Sequence, residues 1–303
     1  MRLRAILACV LWGSAFAGAK IGLQYADPIF LSGIRFILAG LLLIPVMMHK
    51  KVSLRGCMRH WRFILLFAFL QTFLQYGLFF VGIDKVPAAT SSIIIGAGPL
   101  VVALMAHFIM KNERMTLRKG IAIALGLTGI VFISLTKGQI SLNSSSFYTG
   151  VFLLLLSVSI GSYTNILVSQ RKEANISPIA LTSFAHMIGG VGLLVVSLMV
   201  EKPETYNFPI EFYGALLWLA LISAIGFSLW YGLLNRPEVK VSELNIWKFL
   251  IPVVGVILSW MFVKGETPDL PTILGMVVIA TALLLVQAPD RFVRQWISKR
   301  KMN

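Results

Sequence analysis

Long hydrophobic runs separated by short polar segments extend along almost the whole chain. A helix needs about 20 mostly apolar residues to cross the hydrocarbon core of a bilayer, and ten runs approach this length. Because lipid accepts a helix that is apolar on every side, the length of a run indicates a span better than its periodicity does. The pattern predicts an all-α polytopic membrane protein with ten transmembrane helices: Leu3–Gln24, Pro28–Met48, Phe63–Ile83, Ala88–Met110, Leu117–Thr136, Phe147–Gln170, Pro178–Val200, Phe212–Leu234, Val241–Val263 and Leu270–Gln287.

Basic residues predict the direction in which the chain crosses the membrane. If the N-terminus is cytoplasmic, four of the 27 lysines and arginines lie in outer loops and three lie deep within spans, which leaves 20 on the cytoplasmic side. This bias follows the positive-inside rule and predicts that both termini are cytoplasmic. It also explains the net charge of +15 by basic loops facing anionic lipid, so we expect membrane lipid as a partner and no nucleic acid.

Composition and motifs argue against an enzyme. Hydrophobic residues make up 57% of the chain and charged residues only 13%, about half the charged share of a soluble domain. The sequence contains no H-E-x-x-H, P-loop, C-x-x-C or G-x-S-x-G motif. The four histidines are scattered, and Cys9 and Cys57 are expected to be free thiols. The sequence therefore predicts no catalytic site, no cofactor and no metal.

Two similar segments indicate an internal repeat. Residues 99–113 read PLVVALMAHFIMKNE and residues 252–266 read PVVGVILSWMFVKGE, each running from a proline to a glutamate. Tyr-Gly-Leu occurs upstream of both segments, at 76–78 and 231–233. We therefore expect two five-helix repeats, residues 1–138 and 147–288, followed by a basic cytoplasmic tail at 289–303. Because five is an odd number, the second repeat must be inverted, as in many secondary transporters.

These motifs resemble those of a known family. Trp12-Gly13-Ser14 near the N-terminus, Pro28 followed by Arg35, and the repeated Pro-to-Glu helix are together similar to the drug/metabolite transporter superfamily, in its EamA-like branch of ten-helix permeases. The resemblance implies a permease that exports a small metabolite, such as an amino acid, across a bacterial inner membrane. The second half departs from the pattern, because Ala185 and His186 stand where an arginine would correspond to Arg35.

The middle of the fourth and ninth spans is expected to form the transport site. Pro99 and Pro252 lack a backbone N–H and interrupt their helices. Lys248 lies about 10 Å inside its span at 1.5 Å per residue, and a charge at that depth usually faces a cavity. We expect it to bind an anionic group of the substrate. The alternative is a lysine that extends toward the membrane interface.

Further polar and aromatic residues are candidates for the cavity or for gating, although small polar residues also join membrane helices and aromatic residues gather at interfaces. The candidate cavity residues are Trp12, Ser14, Tyr76, Ser92, Tyr163, Asn165, Trp230, Tyr231, Asn245 and Trp247. The candidates for gating or ion coupling are Arg35, Glu113, Glu243, Glu266, His107 and His186, for each of which a structural role is the alternative.

Three other functions remain open at this stage. An importer could have the same fold. A membrane enzyme acting on lipid would need titratable groups clustered at one interface, whereas this sequence scatters them. A scaffold or receptor that does not transport would need no polar centre.

Overall fold

Helices make up the regular structure of the computed structural model, which describes residues 2–53, 57, 59–109, 116–140, 144–171, 176–201, 207–239 and 241–287. No strand occurs within these ranges. The helices are α1 (Arg2–Gly22), α2 (Pro28–His49), α3 (Trp61–Lys85), α4a (Ala88–Gly96), α4b (Gly98–Ile109), α5 (Leu117–Ile140), α6 (Ser144–Gln170), α7 (Pro178–Val200), α8 (Ile210–Leu234), α9a (Val241–Asn245), α9b (Leu250–Phe262) and α10 (Leu270–Gln287).

Helix length and composition fit a multi-pass membrane protein. Among the described residues, seven helices are long and apolar enough to cross a membrane, and three shorter apolar helices cover Gly120–Ile133, Leu250–Phe262 and Leu270–Ala282. The predicted all-helical polytopic class is confirmed at this level, while the number of ten spans stays a prediction.

The surface is apolar where a soluble protein would be polar. Large hydrophobic side chains such as Phe152, Leu198 and Leu284 are each 63% exposed. Polar side chains such as Arg35 and His186 are buried instead. An apolar exterior around polar interior groups is the arrangement that a lipid solvent requires.

The strongest helix packing joins helices α1–α5 to helices α6–α10. Helix α2 packs most extensively against α7, α1 against α8 and α9b, α3 against α6, α4a against α9b, and α5 against α10. These pairs are symmetric between the two parts of the chain. When each helix is replaced by the one five places away, α1–α8 becomes α6–α3, and α2–α7, α4–α9 and α5–α10 become themselves. The pair α1–α9b becomes α6–α4b, and these two helices are also in contact. The core is therefore an interface between the two parts of the chain.

Glycine and serine allow α2 and α7 to lie very close together. A Cβ at Gly33 would lie 2.9 Å from the backbone nitrogen of Leu194, and one at Gly40 would lie 2.8 Å from the carbonyl oxygen of Ser183. The Ser183 hydroxyl donates to the Gly40 carbonyl oxygen at 2.8 Å. Small residues at such crossings are how membrane helices gain packing contacts without a hydrophobic driving force.

Helices α4 and α9 are interrupted next to their prolines. Helix α4a ends at Gly96 and α4b begins at Gly98, so Pro99 lies in the first turn of the new helix. In α9, a 3₁₀ turn at Ile246–Phe249 separates α9a from α9b. Proline is tolerated in a first turn because the N–H groups there have no partner within the helix.

The two interruptions touch each other. A Cβ on Gly96 would lie 2.5 Å from the Cδ and Cγ atoms of Pro252. A Cβ on Gly255 would lie 2.5 Å from the Cβ of Ser92. The broken helices therefore cross at close range in the centre of the molecule.

Candidate functional site

A cavity of about 80 Å³ lies at the centre of the bundle, between helices of both halves. It is walled by residues of α1, α2, α3, α4a, α4b, α6, α8 and α9, which include the sequence-predicted residues Trp12, Arg35, Tyr76, Asn165, Trp230, Tyr231 and Lys248. Sites that enclose drug-sized ligands measure about 300–1,000 Å³. In this conformation the cavity is therefore smaller than a drug-sized site.

Lys248 enters the cavity from the interruption in α9. It lies in the 3₁₀ turn at Ile246–Phe249, which turns this stretch of chain away from regular α-helical geometry. Its Nζ atom is 4.9 Å from the ring centroid of Trp230 and 5.8 Å from that of Trp12. Cation–π contacts of this kind contribute about 0.5–2 kcal/mol and hold the ammonium group beside the two rings.

Asn165 fixes the ring of Trp230 beside that lysine. The Trp230 Nε1 group donates to Asn165 Oδ1 at 2.8 Å, and Asn165 Nδ2 donates to the Gly161 carbonyl oxygen at 2.6 Å. Both hydrogen bonds satisfy buried polar groups, which would otherwise cost free energy in the apolar core. The wall between α6 and α8 is thus ordered before any ligand arrives.

Arg35 provides a second positive charge on the wall. Only 2% of the residue is exposed. Its guanidinium carbon lies 4.3 Å from the ring centroid of Phe36, 4.8 Å from that of Phe80 and 5.2 Å from that of Tyr76. The Nε and Nη1 atoms have no hydrogen-bond partner among the described residues. A buried guanidinium with free donors is suited to binding an anion.

Two glutamines of α3 were not anticipated from the sequence. A π-helical segment, Ala68–Leu74, interrupts α3 beside the cavity, and Gln71 and Gln75 lie on the wall. Thr164 donates to Gln71 Oε1 at 2.5 Å, whereas Gln75 Oε1 has no partner among the described residues. Polar residues in the otherwise apolar run at 63–83 were the available signal, and π-helical segments are frequent at functional sites.

Several predicted cavity residues lie away from the wall. The Ser14 hydroxyl donates to the Leu11 carbonyl oxygen at 2.7 Å and accepts from Trp218 Nε1 at 3.1 Å. The hydroxyl of Ser92 donates to the Ala89 carbonyl oxygen at 2.7 Å. Asn245 Nδ2 donates to the Val241 carbonyl oxygen at 2.9 Å. Local backbone bonds thus use these side chains, and Tyr163, Trp247, Pro99 and Pro252 also lie outside the set of wall residues.

The two histidines that the sequence suggested for gating or ion coupling, His107 and His186, have different surroundings. His186 is buried, with its ring centroid 4.7 Å from that of Phe36 and 5.0 Å from that of Phe227. Its Nδ1 atom is 3.2 Å from the Thr72 hydroxyl. His107 lies near the end of α4b, with its ring 5.1 Å from that of Phe108. Neither histidine is among the wall residues. His186 follows Ala185, the residue that corresponds to Arg35 in the second half.

Glu266 caps a helix in the other half of the chain. Its carboxylate accepts from the backbone N–H groups of Ala88 at 2.5 Å and Ala89 at 2.9 Å, at the start of α4a. Pro87 precedes these residues and offers no capping side chain. A carboxylate at a helix N-terminus satisfies free donors and interacts favourably with the helix dipole.

Glu201 makes the same contact at the start of α2. Its two carboxylate oxygens accept from the N–H groups of Ile29 and Phe30, both at 2.8 Å. The residue before the helix, Asp27, makes no side-chain capping bond. Both carboxylates belong to the second half of the chain and both capped helices to the first, so the pair forms what we call the glutamate clasps.

Two predicted gating residues fall outside this description. Glu113 lies outside the described residues, and only the backbone of Glu243 is described, within α9a.

Comparison with known proteins identifies a transporter pattern in both halves. The sequence pattern of the EamA-like transporter family matches residues 3–135 and, a second time, residues 148–287. An uncharacterized transporter of Bacillus subtilis, YvbV, is 26% identical over 285 residues, which cover 93% of this chain and 90% of that protein. An S-adenosylmethionine/S-adenosylhomocysteine transporter of Chlamydia trachomatis is 26% identical over 283 residues, covering 90% of this chain and 85% of that protein.

A solved crystal structure has the same fold. It matches with a TM-score of 0.71 and 16% sequence identity, covering 93% of this chain and 95% of the other. At this identity the likeness shows the fold alone.

Proposed function

Because this chain belongs to the EamA-like transporter family, and hence to the drug/metabolite transporter superfamily, we propose that it is a secondary transporter that exports a small metabolite with an anionic group, such as a carboxylate, by alternating access. The amino acid expected from the resemblance is one such cargo. The central cavity carries the proposal, because residues of both halves form one small polar and aromatic site. A site shared by two halves can open to either side as the halves rock.

In our proposal the halves are inverted repeats of five spans in a bacterial inner membrane, with both termini in the cytoplasm. Two observations support the repeat: the family pattern matches twice, and the helix pairs are related by an exchange of the halves. The distribution of basic residues supports the orientation.

The glutamate clasps act as the outer gate. In the proposed orientation, α2 and α4a both begin at the outer face, where Glu201 and Glu266 join them to the second half. Opening the cavity to the outside must separate the halves there and break these bonds. The conformation described here is therefore closed toward the outer side.

Among the described residues, no carboxylate caps the start of α7 at the cytoplasmic end. Helix α7 begins at Pro178 after Ser177, which makes no side-chain capping bond. By the 150-residue spacing of Pro28 and Pro178, Lys51 corresponds to Glu201, so a cation stands where the outer end has a carboxylate. At this pair of helices the difference favours closure of the outer end; Glu113, the counterpart of Glu266, lies outside the described residues.

Counterflow in proteoliposomes tests the function. Purified protein is reconstituted with a high internal concentration of one unlabelled metabolite, and uptake of the labelled form is followed across a panel of metabolites. Transient accumulation of at least one small metabolite with an anionic group is the expected result. Absence of accumulation for every solute, together with binding in the cavity, would favour a receptor without transport.

A further inference from the structure

We infer that the cargo of the central cavity is an aromatic carboxylate that carries no amino group of its own, rather than a zwitterionic amino acid. This inference rests on the proposed transport function and narrows it to a class of substrate. It follows from the charges on the wall, from the hydrogen-bond acceptors that remain free, and from the band of rings around the cavity.

The charge on the wall is unbalanced. Arg35 and Lys248 both line the cavity, and none of its described wall residues is an aspartate or glutamate. Across the ten predicted spans, the sequence holds a single acidic residue, Glu243. The membrane interior of this protein is therefore built to hold more positive than negative charge.

An anion relieves this imbalance. Placing a charged side chain deep in a membrane protein is costly, and a cation–π contact offsets only part of that cost. The free Nε and Nη1 donors of Arg35 give a carboxylate a directional partner. Lys248 adds a second cation, whose Nζ atom lies over the rings of Trp12 and Trp230.

An ammonium group would meet no charged partner on the described wall, only neutral oxygens and ring faces. Asn165 Oδ1 already accepts from Trp230, and Gln71 Oε1 already accepts from Thr164. Gln75 Oε1 is the free amide acceptor on the described wall. A single neutral acceptor does not compensate a buried ammonium that also lies near two cations. The wall therefore disfavours the amino group of a zwitterion.

The aromatic lining of the site favours a cargo that carries a ring. The ring of Trp12 lies 5.0 Å from that of Phe227 and 5.1 Å from that of Trp230, and Phe227 lies 5.8 Å from Tyr76. These rings form a continuous band that joins the surroundings of Lys248 to those of Arg35. A ring on the cargo gains stabilisation from each aromatic contact beyond that from its buried area.

A matched series of three ligands tests the inference. The probes 3-phenylpropionate, phenylalanine and phenethylamine share one ring and carry net charges of about −1, 0 and +1 at neutral pH. Binding to the full-length protein in lipid nanodiscs is measured by titration of tryptophan fluorescence, because Trp12 and Trp230 line the cavity. We expect 3-phenylpropionate to bind at least about ten-fold more tightly than phenylalanine, a difference of 1.4 kcal/mol, and phenethylamine to bind most weakly.

Two variants add a control on the position of binding. Lys248→Met should weaken 3-phenylpropionate by about ten-fold and leave phenethylamine unchanged or tighter. Lys50→Met removes an exposed lysine at the end of α2 and should change none of the three affinities. The order of affinities in the unmodified protein needs no variant, so a poorly folded Lys248→Met protein leaves the test intact.

The results separate this inference from the proposed function. Phenylalanine or phenethylamine binding as tightly as 3-phenylpropionate would overturn the inference, as would failure of 3-phenylpropionate to bind. Counterflow of phenylalanine faster than 3-phenylpropionate would keep the transporter and reject the charge selection. The expected binding order without counterflow of any solute would keep the assignment of the cavity and reject transport.

Discussion

At the scale of single residues, the sequence indicates charge and depth but not direction. Lys248 and Arg35 could be picked out because each is a cation within an apolar run, and both lie on the cavity wall. Ser14 and Asn245 have equally plausible sequence positions, yet both use their side chains for bonds within the helix. Which way a short polar side chain points depends on packing that a single sequence does not contain.

Removing the charge of Lys248 should impair transport more than folding. Lys248→Met keeps the length and apolar contacts of the side chain against Trp12 and Trp230 but loses the ammonium group. We expect the apparent KM for an anionic substrate to rise by about ten-fold, since contact with a charged group contributes about 1.5–3 kcal/mol. Proteoliposome uptake measures this effect, with Lys50→Met as the matched control. Unchanged rate and KM for every transported solute would refute the role assigned to Lys248.

The glutamate clasps are a second feature at the scale of residues. Only one of them, Glu266, was a candidate from the sequence. Glu266 attracted attention because it ends the repeated segment, whereas Glu201 follows α7 without any motif. Its partner Ile29 is 172 residues away in the chain. A cap contributed by such a distant residue can be recognised only once the helices are placed.

Neutralising a clasp should make the outer side open more often. Glu201→Gln and Glu266→Gln each remove the carboxylate charge at a helix N-terminus, where caps contribute about 0.5–2 kcal/mol. We expect an impermeant maleimide added from outside to label Ala15→Cys, a wall position, about two- to thirty-fold faster. The background lacks Cys9 and Cys57.

Glu211→Gln is the control for the clasps. Glu211 is exposed in the first turn of α8, at the same end of the bundle, and its replacement should leave the labelling rate unchanged. Equal rates in the clasp variants and in this control would show that the clasps do not hold the gate closed.

At the scale of elements, the helices could be predicted from the lengths of the apolar runs. The interruptions in them depend on tertiary contacts. The interruptions in α4 and α9 lie next to Pro99 and Pro252. The 3₁₀ turn before α9b and the π-helical segment in α3 were not predicted, because neither has a distinctive composition. The close approach of Gly96 to Pro252 explains why the two interruptions lie together.

A methyl group at that crossing should be costly. Gly96→Ala brings a Cβ to 2.5 Å from Pro252, and such overpacking costs about 1–3 kcal/mol. We expect a lower Tm in detergent and slower transport. Gly214→Ala in α8 meets nothing within 4 Å, and because alanine is the better helix former it should raise or preserve the Tm. A Gly96→Ala protein as stable as the Gly214→Ala control would contradict the tight crossing.

At the scale of the whole molecule, the proposed alternating-access mechanism requires two halves that cross the membrane in opposite directions around one cavity. The number of hydrophobic runs and the repeated segment predicted this arrangement from sequence. The helix pairs add that most of the core lies between the halves rather than within them. Such an interface can shift as two bodies while the cavity stays at the boundary.

Cysteine accessibility at equivalent ends of the two repeats shows whether the repeats are inverted in the membrane. Lys111→Cys and Lys264→Cys replace corresponding residues 153 positions apart, each in a background without Cys9 and Cys57. In intact cells an impermeant maleimide should label Lys264→Cys at once and Lys111→Cys only after the inner membrane is permeabilised. Labelling of both variants from the same side of the membrane would contradict the inverted arrangement and the mechanism built on it.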